Sequence, residues 1–280
     1  MIGLGAMGLG MARNIAKSGH LTQLWNRTPE KAQKLAEELG IEVSPSIQQL
    51  AAGVDIIALC VSADPDVLAV INAMLESINP GTIVIDMSTV SSETAKKAAR
   101  LLAGKQAYFL DAPVSGGIEG AKNGTLAMMV GGDQSILEKV RPVLEPMCSR
   151  IIYMGPTGSG QGTKAVNQIM AAGINQAVTE SLAFAQAEGL PLEKVIEVIS
   201  GGAASNWFLK HRGLTMTQNQ YQPGFKLALH HKDLKICQSM AEQNSADLAL
   251  VSQTINDYQQ LMNDGFGDED ISALYRLKQK

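Results

Sequence analysis

The chain has 280 residues, of which 45% are hydrophobic and 18% charged, and its net charge is −4 without a basic run. This length suits two modest domains with sizeable cores, and the weakly acidic charge argues against nucleic acid or an anionic membrane as a partner. The three cysteines are scattered without a CxxC pair, and no apolar run approaches ~20 residues. We therefore expect a cytoplasmic protein without a signal peptide, a membrane span, disulfides or structural zinc.

Short β-rich apolar runs alternate with helix-like stretches in the first half of the chain. One helix, for example, begins after the capping residue Ser91 and ends at Gly104. Strands that alternate with helices imply βαβ crossovers and a mostly parallel sheet. The predicted strands lie at 22–25, 55–61, 82–87, 107–112, 126–132 and 150–154, and the predicted helices at 7–19, 29–40, 64–75, 91–104 and 133–147.

The pattern changes after about residue 160. The stretch 163–189 lacks proline and is rich in alanine, which predicts a long helix of roughly seven turns. It is apolar on most of its circumference, so we expect it to be buried among other helices. The rest of the chain has helical patterns and no convincing strand. We therefore predict an α/β domain over residues 1–158 and an all-helical domain over residues 159–280, which begins with this interdomain helix.

The glycines at the start of the chain have the spacing of a dinucleotide-binding loop. Gly3, Gly5 and Gly8 in "GLGAMG" follow the G-x-G-x-x-G pattern, and a helix comes at once. Such glycines allow a tight turn and the close approach of a pyrophosphate, which faces the amides of the first helical turn, here Ala6 and Met7. At the head of an alternating domain, this pattern predicts a Rossmann-type dinucleotide-binding domain.

The first strand of such a domain is central in its sheet. Only Met1 and Ile2 precede Gly3, whereas a strand usually needs ~5 residues. We therefore expect that the start codon is misassigned or that the numbered chain lacks a few leading residues. We also expect the sheet to be short or frayed at its centre.

The end of the next strand indicates the kind of dinucleotide. A 2′-hydroxyl is usually bound there by Asp or Glu, about 20 residues after the glycines. This chain instead has Asn26, Arg27 and Thr28 and no acid at the tip. A guanidinium and a hydroxyl suit a 2′-phosphate, so the sequence predicts NADP(H) rather than NAD(H). The alternative is that Arg27 is a solvated surface residue occupied by Glu30.

Six motifs together resemble the β-hydroxyacid dehydrogenases. "GLGAMG", "WNRT", "DMSTV", "DAPVSGG", "GSGQGTKAVNQ" and "HKDL" occur in the order and at about the spacing of that family, and the resemblance covers essentially the whole chain. The family includes 3-hydroxyisobutyrate dehydrogenase, tartronate semialdehyde reductase and the glyoxylate/succinic semialdehyde reductases. The "NRT" triplet looks most like the NADPH-dependent glyoxylate/succinic semialdehyde reductase branch, and the short N-terminus is the chief departure.

The resemblance implies roles for particular residues. Lys164 stands at the family's catalytic lysine, and Asn167 stands at the asparagine that helps to hold the substrate. The loop of Ser115, Gly116 and Gly117 matches the one that binds the substrate carboxylate. The further matches contact the cofactor, and the last of them also lies near the substrate: Val61, Ser62, Thr89 and Lys232.

The chemistry of these residue types is consistent with those roles. Adjacent glycines leave backbone N–H groups uncovered beside the Ser115 hydroxyl, which suits a carboxylate, although an ordinary strand-to-helix turn is the alternative. Lys164 and Asn167 share one helix face. Lysine, with an ordinary pKa of ~10.4, can protonate the alkoxide that develops as hydride arrives. The alternatives are that Lys164 extends from a helix end to solvent and that Lys232 is a surface partner of Asp233.

We therefore hypothesise an NADPH-dependent reductase of small aldehyde-acids, such as glyoxylate or succinic semialdehyde, with Lys164 as general acid and no metal. We expect a homodimer or homotetramer formed through the helical domain, and no nucleic acid or membrane partner. Three alternatives are a 3-hydroxyacid dehydrogenase that acts in the oxidising direction, an imine reductase, which Lys164 disfavours, and a non-catalytic dinucleotide-binding module. His230 and His231 are adjacent on a helix and are not expected to be catalytic.

Overall fold

Strands and helices alternate through the first of the two units into which the chain divides, Met1–Lys164. The structure is a computed structural model that describes residues 1–279. The strands of this unit are β1 Gln23–Leu24, β2 Glu42–Val43, β3 Ile56–Leu59, β4 Ile83–Asp86, β5 Tyr108–Asp111, β6 Val114–Ser115, β7 Leu126–Gly131 and β8 Cys148–Gly155. Its helices are α1 Ala6–Lys17, α2 Pro29–Leu39, α3 Ile47–Ala52, α4 Asp64–Met74, α5 Ser92–Ala103, α6 Gly117–Asn123 and α7 Gln134–Leu144, and a 3₁₀ turn follows at Glu145–Met147.

The main sheet has the strand order β3-β4-β5-β7-β6, and β8 pairs with β7. Strands β3, β4 and β5 are parallel, as are β7 and β8, whereas β7 is antiparallel to β5 and β6. Along β4, Ile83 and Ile85 belong to one apolar cluster and Val84 to another. Since side chains alternate between the faces of a strand, both faces of the sheet are covered. The predicted mostly parallel, Rossmann-type α/β fold is confirmed.

The central strand expected at the start of the chain is reduced to Ile2. This residue forms isolated parallel bridges to both Trp25 and Leu59, so it joins the two-stranded β1–β2 sheet to the β3 edge of the main sheet. Its amide donates to Ala58 O, its carbonyl accepts from Cys60 N, and its side chain is fully buried. The sheet is therefore short at this point, as expected, but it is paired on both sides.

Every strand and helix predicted for this unit is present. The predicted caps of α5 are confirmed, because Thr94 N donates to Ser91 Oγ and Gly104 ends the helix. The sequence did not predict β2, α3, β6 and α6. Each of these is two to seven residues long. Such lengths are too short for a hydrophobic period to be recognised.

The second unit begins at Ala165, and the regular elements of its described part are all helices. Its core contains Leu182, Phe208, Leu234 and Tyr258. The predicted all-helical character is confirmed, and the predicted boundary at 158/159 stays a prediction, because α8 runs through the point at which the units divide. The helices are α8 Ser159–Ala187, α9 Leu192–Ser200, α10 Trp207–Thr217, α11 Leu227–Gln243, α12 Ala249–Asn263 and α13 Tyr275–Lys278, with a 3₁₀ turn at Ile271–Leu274 before α13.

Helix α8 differs from its prediction in two ways. It begins at Ser159, four residues before the predicted start at 163. The expectation that it is buried among other helices holds on one side only, because Val166, Met170 and Phe184 are more than 60% exposed. Its buried side includes polar residues with hydrogen-bond partners, so apolar content did not indicate which side faces inward. No helix within residues 1–279 is long and apolar enough to cross a membrane.

Candidate active site

The glycine loop before α1 is closely packed at two glycines and open at the third. A Cβ at Gly3 would overlap the carbonyl of Cys60, and one at Gly8 would overlap the carbonyl of Gly3. Gly5 is the N-cap of α1, and a Cβ there would meet no other described atom within 4 Å. The first turn of α1 also contains no acidic side chain. This arrangement leaves bare backbone at a helix N-terminus, which is suited to an anionic group such as a pyrophosphate.

Asn26 connects the end of β1 to this glycine loop. Its Oδ1 accepts a hydrogen bond from Leu4 N at 2.8 Å, and its Nδ2 donates to Thr28 O at 2.9 Å. Ala6 and Met7 form the start of α1, where Ala6 is exposed and Met7 is half-buried. The "NRT" segment is therefore held beside the backbone expected to contact a pyrophosphate.

Arg27 is exposed and forms an ion pair. Its Nη1 lies 2.9 Å from Asp66 Oδ1, and the two side chains are 78% and 29% exposed. Asp66 lies in the first turn of α4, so the partner of Arg27 is not Glu30, the residue considered from the sequence. An exposed pair of this kind contributes ~0–1 kcal/mol, so little free energy opposes a move of the guanidinium to a phosphate.

Val61 and Thr89 lie on loops that follow the adjacent parallel strands β3 and β4. Val61 N donates to Ser88 Oγ at 2.9 Å, and Ser88 N donates to Asp86 Oδ1 at 2.9 Å. Ser62 is exposed and Thr89 is half-buried. The two loops are thus hydrogen-bonded to each other at the carboxyl ends of the strands, the edge at which open α/β sheets bind ligands.

Lys164 is directed to the loop of Ser115, Gly116 and Gly117. Its side chain is buried, and its Nζ donates to Val114 O at 2.9 Å, directly before Ser115. Gly116 and Gly117 have φ values of +132° and +64°, which favour glycine. The alternative of a lysine that extends to solvent is therefore wrong. The loop is a strand-to-helix turn between β6 and α6, as the alternative had it. The buried ammonium of Lys164 is hydrogen-bonded directly before it, at Val114 O.

Asp111 fixes the start of the helix that carries Lys164. Its Oδ1 accepts from Gly158 N at 2.8 Å, and its Oδ2 accepts from Gln161 N at 2.9 Å. Burial raises the pKa of Asp111, and these backbone N–H groups oppose the rise. Sequence reasoning missed this contact, since the partners are about 50 residues apart and only the "DAPVSGG" motif drew attention to Asp111.

The side chain of Gln161 connects the same helix start to the loop after β4. Its Nε2 donates to Ser88 O at 2.8 Å, and its Oε1 accepts from Val90 N at 3.2 Å. Thr89 lies between these two partners, so Gln161 holds the loop that the sequence assigned to the cofactor. Gln161 was also missed, although it lies within the quoted "GSGQGTKAVNQ" motif.

Asp86 lies beside Asp111 in the register of β4 and β5. Burial raises the pKa of Asp86 to about 7, the hydrogen bonds from Ser88 oppose the rise, and the charge of Asp111 adds to it. Two buried carboxyl groups therefore lie side by side at the carboxyl ends of β4 and β5.

In the second unit, Asn167 and Lys232 are linked through two buried residues. Asn167 Nδ2 donates to Gln168 Oε1 at 2.8 Å, and Gln168 Nε2 donates to Asp233 Oδ2 at 2.6 Å. Lys232 Nζ lies 3.0 Å from Asp233 Oδ1, which is the pairing that the sequence left as an alternative. The structure therefore unites these two expected site residues, and sequence reasoning missed Gln168 as the link between them.

The two histidines of α11 lie in the helical core. His230 is fully buried, and its ring contacts Tyr258 Oη at 3.1 Å and Gln168 O at 3.2 Å. Burial lowers the pKa of His231, and nearby Lys235 adds to the effect. The contacts of His230 are those of a buried packing group, and the expectation that neither histidine is catalytic stays a prediction. Within residues 1–279, no cluster of three or more His, Cys, Asp or Glu side chains could hold a metal ion.

Two family models match the chain in succession. The NAD binding domain of 6-phosphogluconate dehydrogenase matches residues 1–155, and the model described as "NAD-binding of NADP-dependent 3-hydroxyisobutyrate dehydrogenase" matches residues 158–278. Among curated relatives, 2-hydroxy-3-oxopropionate reductase of Escherichia coli is 37% identical over 98% of this chain and 94% of its own length. Glyoxylate/succinic semialdehyde reductase 1 of Arabidopsis thaliana is 31% identical over 98% of this chain and 95% of its own length.

A solved structure has nearly the same fold. The 3-hydroxyisobutyrate dehydrogenase of Mycobacterium tuberculosis, determined with L-serine, superposes with a TM-score of 0.91 at 32% identity. The match covers 99% of this chain and 97% of that one.

Proposed function

The chain belongs to the β-hydroxyacid dehydrogenase family and is a nicotinamide-dependent oxidoreductase of hydroxyacid CH–OH groups, and from this premise we propose that it uses NADPH to reduce a small aldehyde-acid. Glyoxylate and succinic semialdehyde are the first candidates. The observation that carries the proposal is the buried Lys164, whose ammonium is bonded to Val114 O beside the loop of Ser115 and two glycines. A buried lysine beside a loop that is expected to bind a carboxylate is suited to act on a carbonyl of a carboxylate-bearing substrate.

The residues expected to hold the cofactor are compatible with a dinucleotide. Bare backbone at Gly5 and an acid-free first turn of α1 suit the pyrophosphate. Exposed Arg27, in a weak ion pair, supports NADP(H) over NAD(H), and the second family model is described for an NADP-dependent enzyme. The proposed cofactor set is Gly3, Gly5, Ala6, Met7, Gly8, Asn26, Arg27, Thr28, Val61, Ser62, Thr89 and Lys232.

In the proposed reaction, bound NADPH supplies the hydride that reduces the aldehyde carbon. Ser115 and the backbone of Gly116 and Gly117 bind the substrate carboxylate, and Asn167 donates an amide hydrogen to a substrate oxygen. Lys164 hydrogen-bonds to the carbonyl oxygen, stabilises its growing negative charge and gives it a proton from Nζ. In the oxidising direction, the same amine accepts the proton from the hydroxyl group.

We also propose that the protein is a homodimer or homotetramer. Phe184, Leu190 and Val198 of the helical unit are 66%, 47% and 76% exposed. Large apolar side chains exposed at this level support an interface between copies. Light scattering of the purified protein measures the assembly, and a monomeric mass would contradict this proposal.

The test of the function compares the wild type with Lys164→Ala. NADPH oxidation is followed by absorbance with glyoxylate and with succinic semialdehyde, and NADH is run in parallel. We expect the wild type to turn over with NADPH and the variant to lose activity by about 10²–10⁴-fold, the usual contribution of a positioned acid. NADPH binding, measured by fluorescence, should remain in the variant and serves as the control for folding.

Two results would contradict separate parts of this proposal. A variant as active as the wild type would exclude Lys164 as the acid. No turnover of either aldehyde, with activity toward another hydroxyacid, would exclude the proposed substrate and leave the family assignment in place.

A further inference from the structure

We propose that Gln168 is a positioning residue that orients Asn167 directly and Lys232 through Asp233. The inference rests on the proposed function, because that function assigns Asn167 and Lys232 to the substrate and the cofactor. Both linking residues are buried, with Gln168 2% and Asp233 4% exposed. The relay consists of the bonds of 2.8 Å and 2.6 Å made by Gln168 and of the 3.0 Å ion pair of Lys232 with Asp233.

The pattern of donors and acceptors in this relay determines how the side-chain amides of Gln168 and Asn167 are oriented. An ionised carboxylate only accepts hydrogen bonds, so Asp233 requires the NH₂ group of Gln168. The oxygen of Gln168 must then face Asn167, which in turn must present its own NH₂ group. One N–H of Asn167 is used in this bond, and the other is left in a defined direction. The carboxylate of Asp233 therefore determines which way the amide of Asn167 points, two hydrogen bonds away.

The backbone of Gln168 is held by the same helix as its side chain. The carbonyl of Gln168 lies 3.2 Å from His230 Nε2, and His230 Nδ1 lies 3.1 Å from Tyr258 Oη. His230 and Asp233 are three residues apart on α11 and so share one of its faces. The carbonyl contact holds the backbone of Gln168, and the two side-chain hydrogen bonds hold its amide, so both parts of the residue are fixed against α11 or Asn167.

The test uses Gln168→Met, which keeps the length of the side chain and removes both hydrogen bonds. The matched control is Gln176→Met on the same helix. Gln176 is 7% exposed, and its Nε2 donates to Asp257 Oδ2 at 2.7 Å and to Thr254 Oγ1 at 3.1 Å. Both variants lose a hydrogen bond to a carboxylate, which is buried for Gln168 and part-buried for Gln176. Asp257 and Thr254, the partners of Gln176, are not among the expected site residues.

The assay uses whichever aldehyde-acid or hydroxyacid the wild type turns over. The comparison of the variants can therefore be interpreted even if the proposed substrate is wrong. We expect Gln168→Met to lower kcat/KM by about 10–100-fold, because small misplacements of positioning groups can cost ~10²-fold. The loss should include a higher substrate KM, since Asn167 holds the substrate. Gln176→Met should lose thermal stability to a similar extent and keep kcat/KM within about 3-fold of the wild type, as expected for a site away from the chemistry.

A double-mutant cycle separates positioning from a structural role. In the Asn167→Ala background, Gln168→Met should cost much less than in the wild type, because its target is absent. A smaller cost is also expected in the Lys232→Met background. Equal costs in all backgrounds, or an effect no larger than that of Gln176→Met, would overturn the inference. If Asn167→Ala alone were fully active, the proposed role of Asn167 would fail, and the relay would fail with it.

Discussion

The two units hold their candidate site residues by different means. In Met1–Lys164, the positions depend on the backbone, with glycines in close contact at Gly3, Gly8 and Gly160 and with side chains such as Asp111 bonded to backbone N–H groups. In the unit that begins at Ala165, they depend on hydrogen bonds between buried side chains, as in the pair Gln168–Asp233. A site built from backbone is sensitive to an added methyl group, whereas a site built from side chains is sensitive to the loss of one partner.

Gly160→Ala should disrupt the close backbone packing of the first unit and cause the largest loss of stability. A Cβ at Gly160 would overlap the carbonyl oxygens of Asp111 and Met129. Both belong to neighbouring strands of the sheet, so neither can move independently. Overpacking costs about 1–3 kcal/mol and more where the backbone is fixed, so we expect a loss of ~3 kcal/mol or more in the free energy of unfolding by urea.

The control for this prediction is Gly162→Ala in the same helix. A Cβ at Gly162 would have Ser92 Oγ, at 3.9 Å, as its nearest described neighbour outside the local helix. Alanine is the better helix former by up to ~1 kcal/mol, so this variant should be neutral or more stable. Equal losses in the two variants would mean that close approach at Gly160 does not govern the packing.

The second-largest effect expected is the pH dependence of stability that Asp86 causes. Asp86 of the first unit and Asp233 of the second differ in their hydrogen-bond partners. Asp233 has Gln168 and Lys232 as partners, whereas Asp86 Oδ2 has no hydrogen-bond partner among the described residues. The folded pKa of Asp86, about 7, lies above the ordinary 3.8. The folded state therefore keeps a proton that the unfolded state releases, and the contribution of Asp86 to stability falls as pH rises from about 4 to about 7.

Asp86→Asn removes this titration. Relative to the wild type, the variant should gain about 3 kcal/mol in free energy of unfolding between pH 5 and pH 8, because each pH unit from 5 to about 7 changes the balance by ~1.4 kcal/mol. Urea unfolding of both proteins at the two pH values measures the difference. A difference that does not change with pH would show that Asp86 is ionised throughout the range.

The sequence predicted the features that depend on local spacing. The glycine loop, the alternating elements and the caps of α5 are all encoded within short segments, and each was found. Lys164 was singled out by the local motif "GSGQGTKAVNQ", one of the six through which the chain resembles the family. Short elements such as β2 and β6 escaped because two residues show no period.

The contacts that orient the site could not be predicted, because their partners are distant in the sequence. Asp111 and Gln161 are separated by 50 residues, and Gln168 and Asp233 by 65. The sequence around a glutamine in an apolar helix does not indicate which carboxylate it will bond to. Its partner is determined by how one helix packs against another, and the hydrophobic pattern does not specify that packing.

Asp66→Asn should give the smallest effect. It removes the carboxylate that pairs with Arg27 at the surface of the first unit, where a side chain rather than the backbone holds the expected site residue. A 2′-phosphate bound by Arg27 would have to replace or share the contact with Asp66 Oδ1, at 2.9 Å, and would lie near its negative charge. Exposed pairs contribute ~0–1 kcal/mol, so removing the carboxylate should raise the NADPH-to-NADH ratio of kcat/KM by about 2–5-fold.

The salt dependence and a second variant complete this last comparison. The gain should shrink as salt rises, since exposed charges are screened over about 8 Å at physiological ionic strength. Arg27→Gln should lower the same ratio if the guanidinium binds the phosphate. A ratio that falls in Asp66→Asn as well would mean that Asp66 orients Arg27 for the phosphate rather than competing with it. In that case Arg27, although it belongs to the first unit, would be positioned by a side-chain contact, as the site residues of the second unit are.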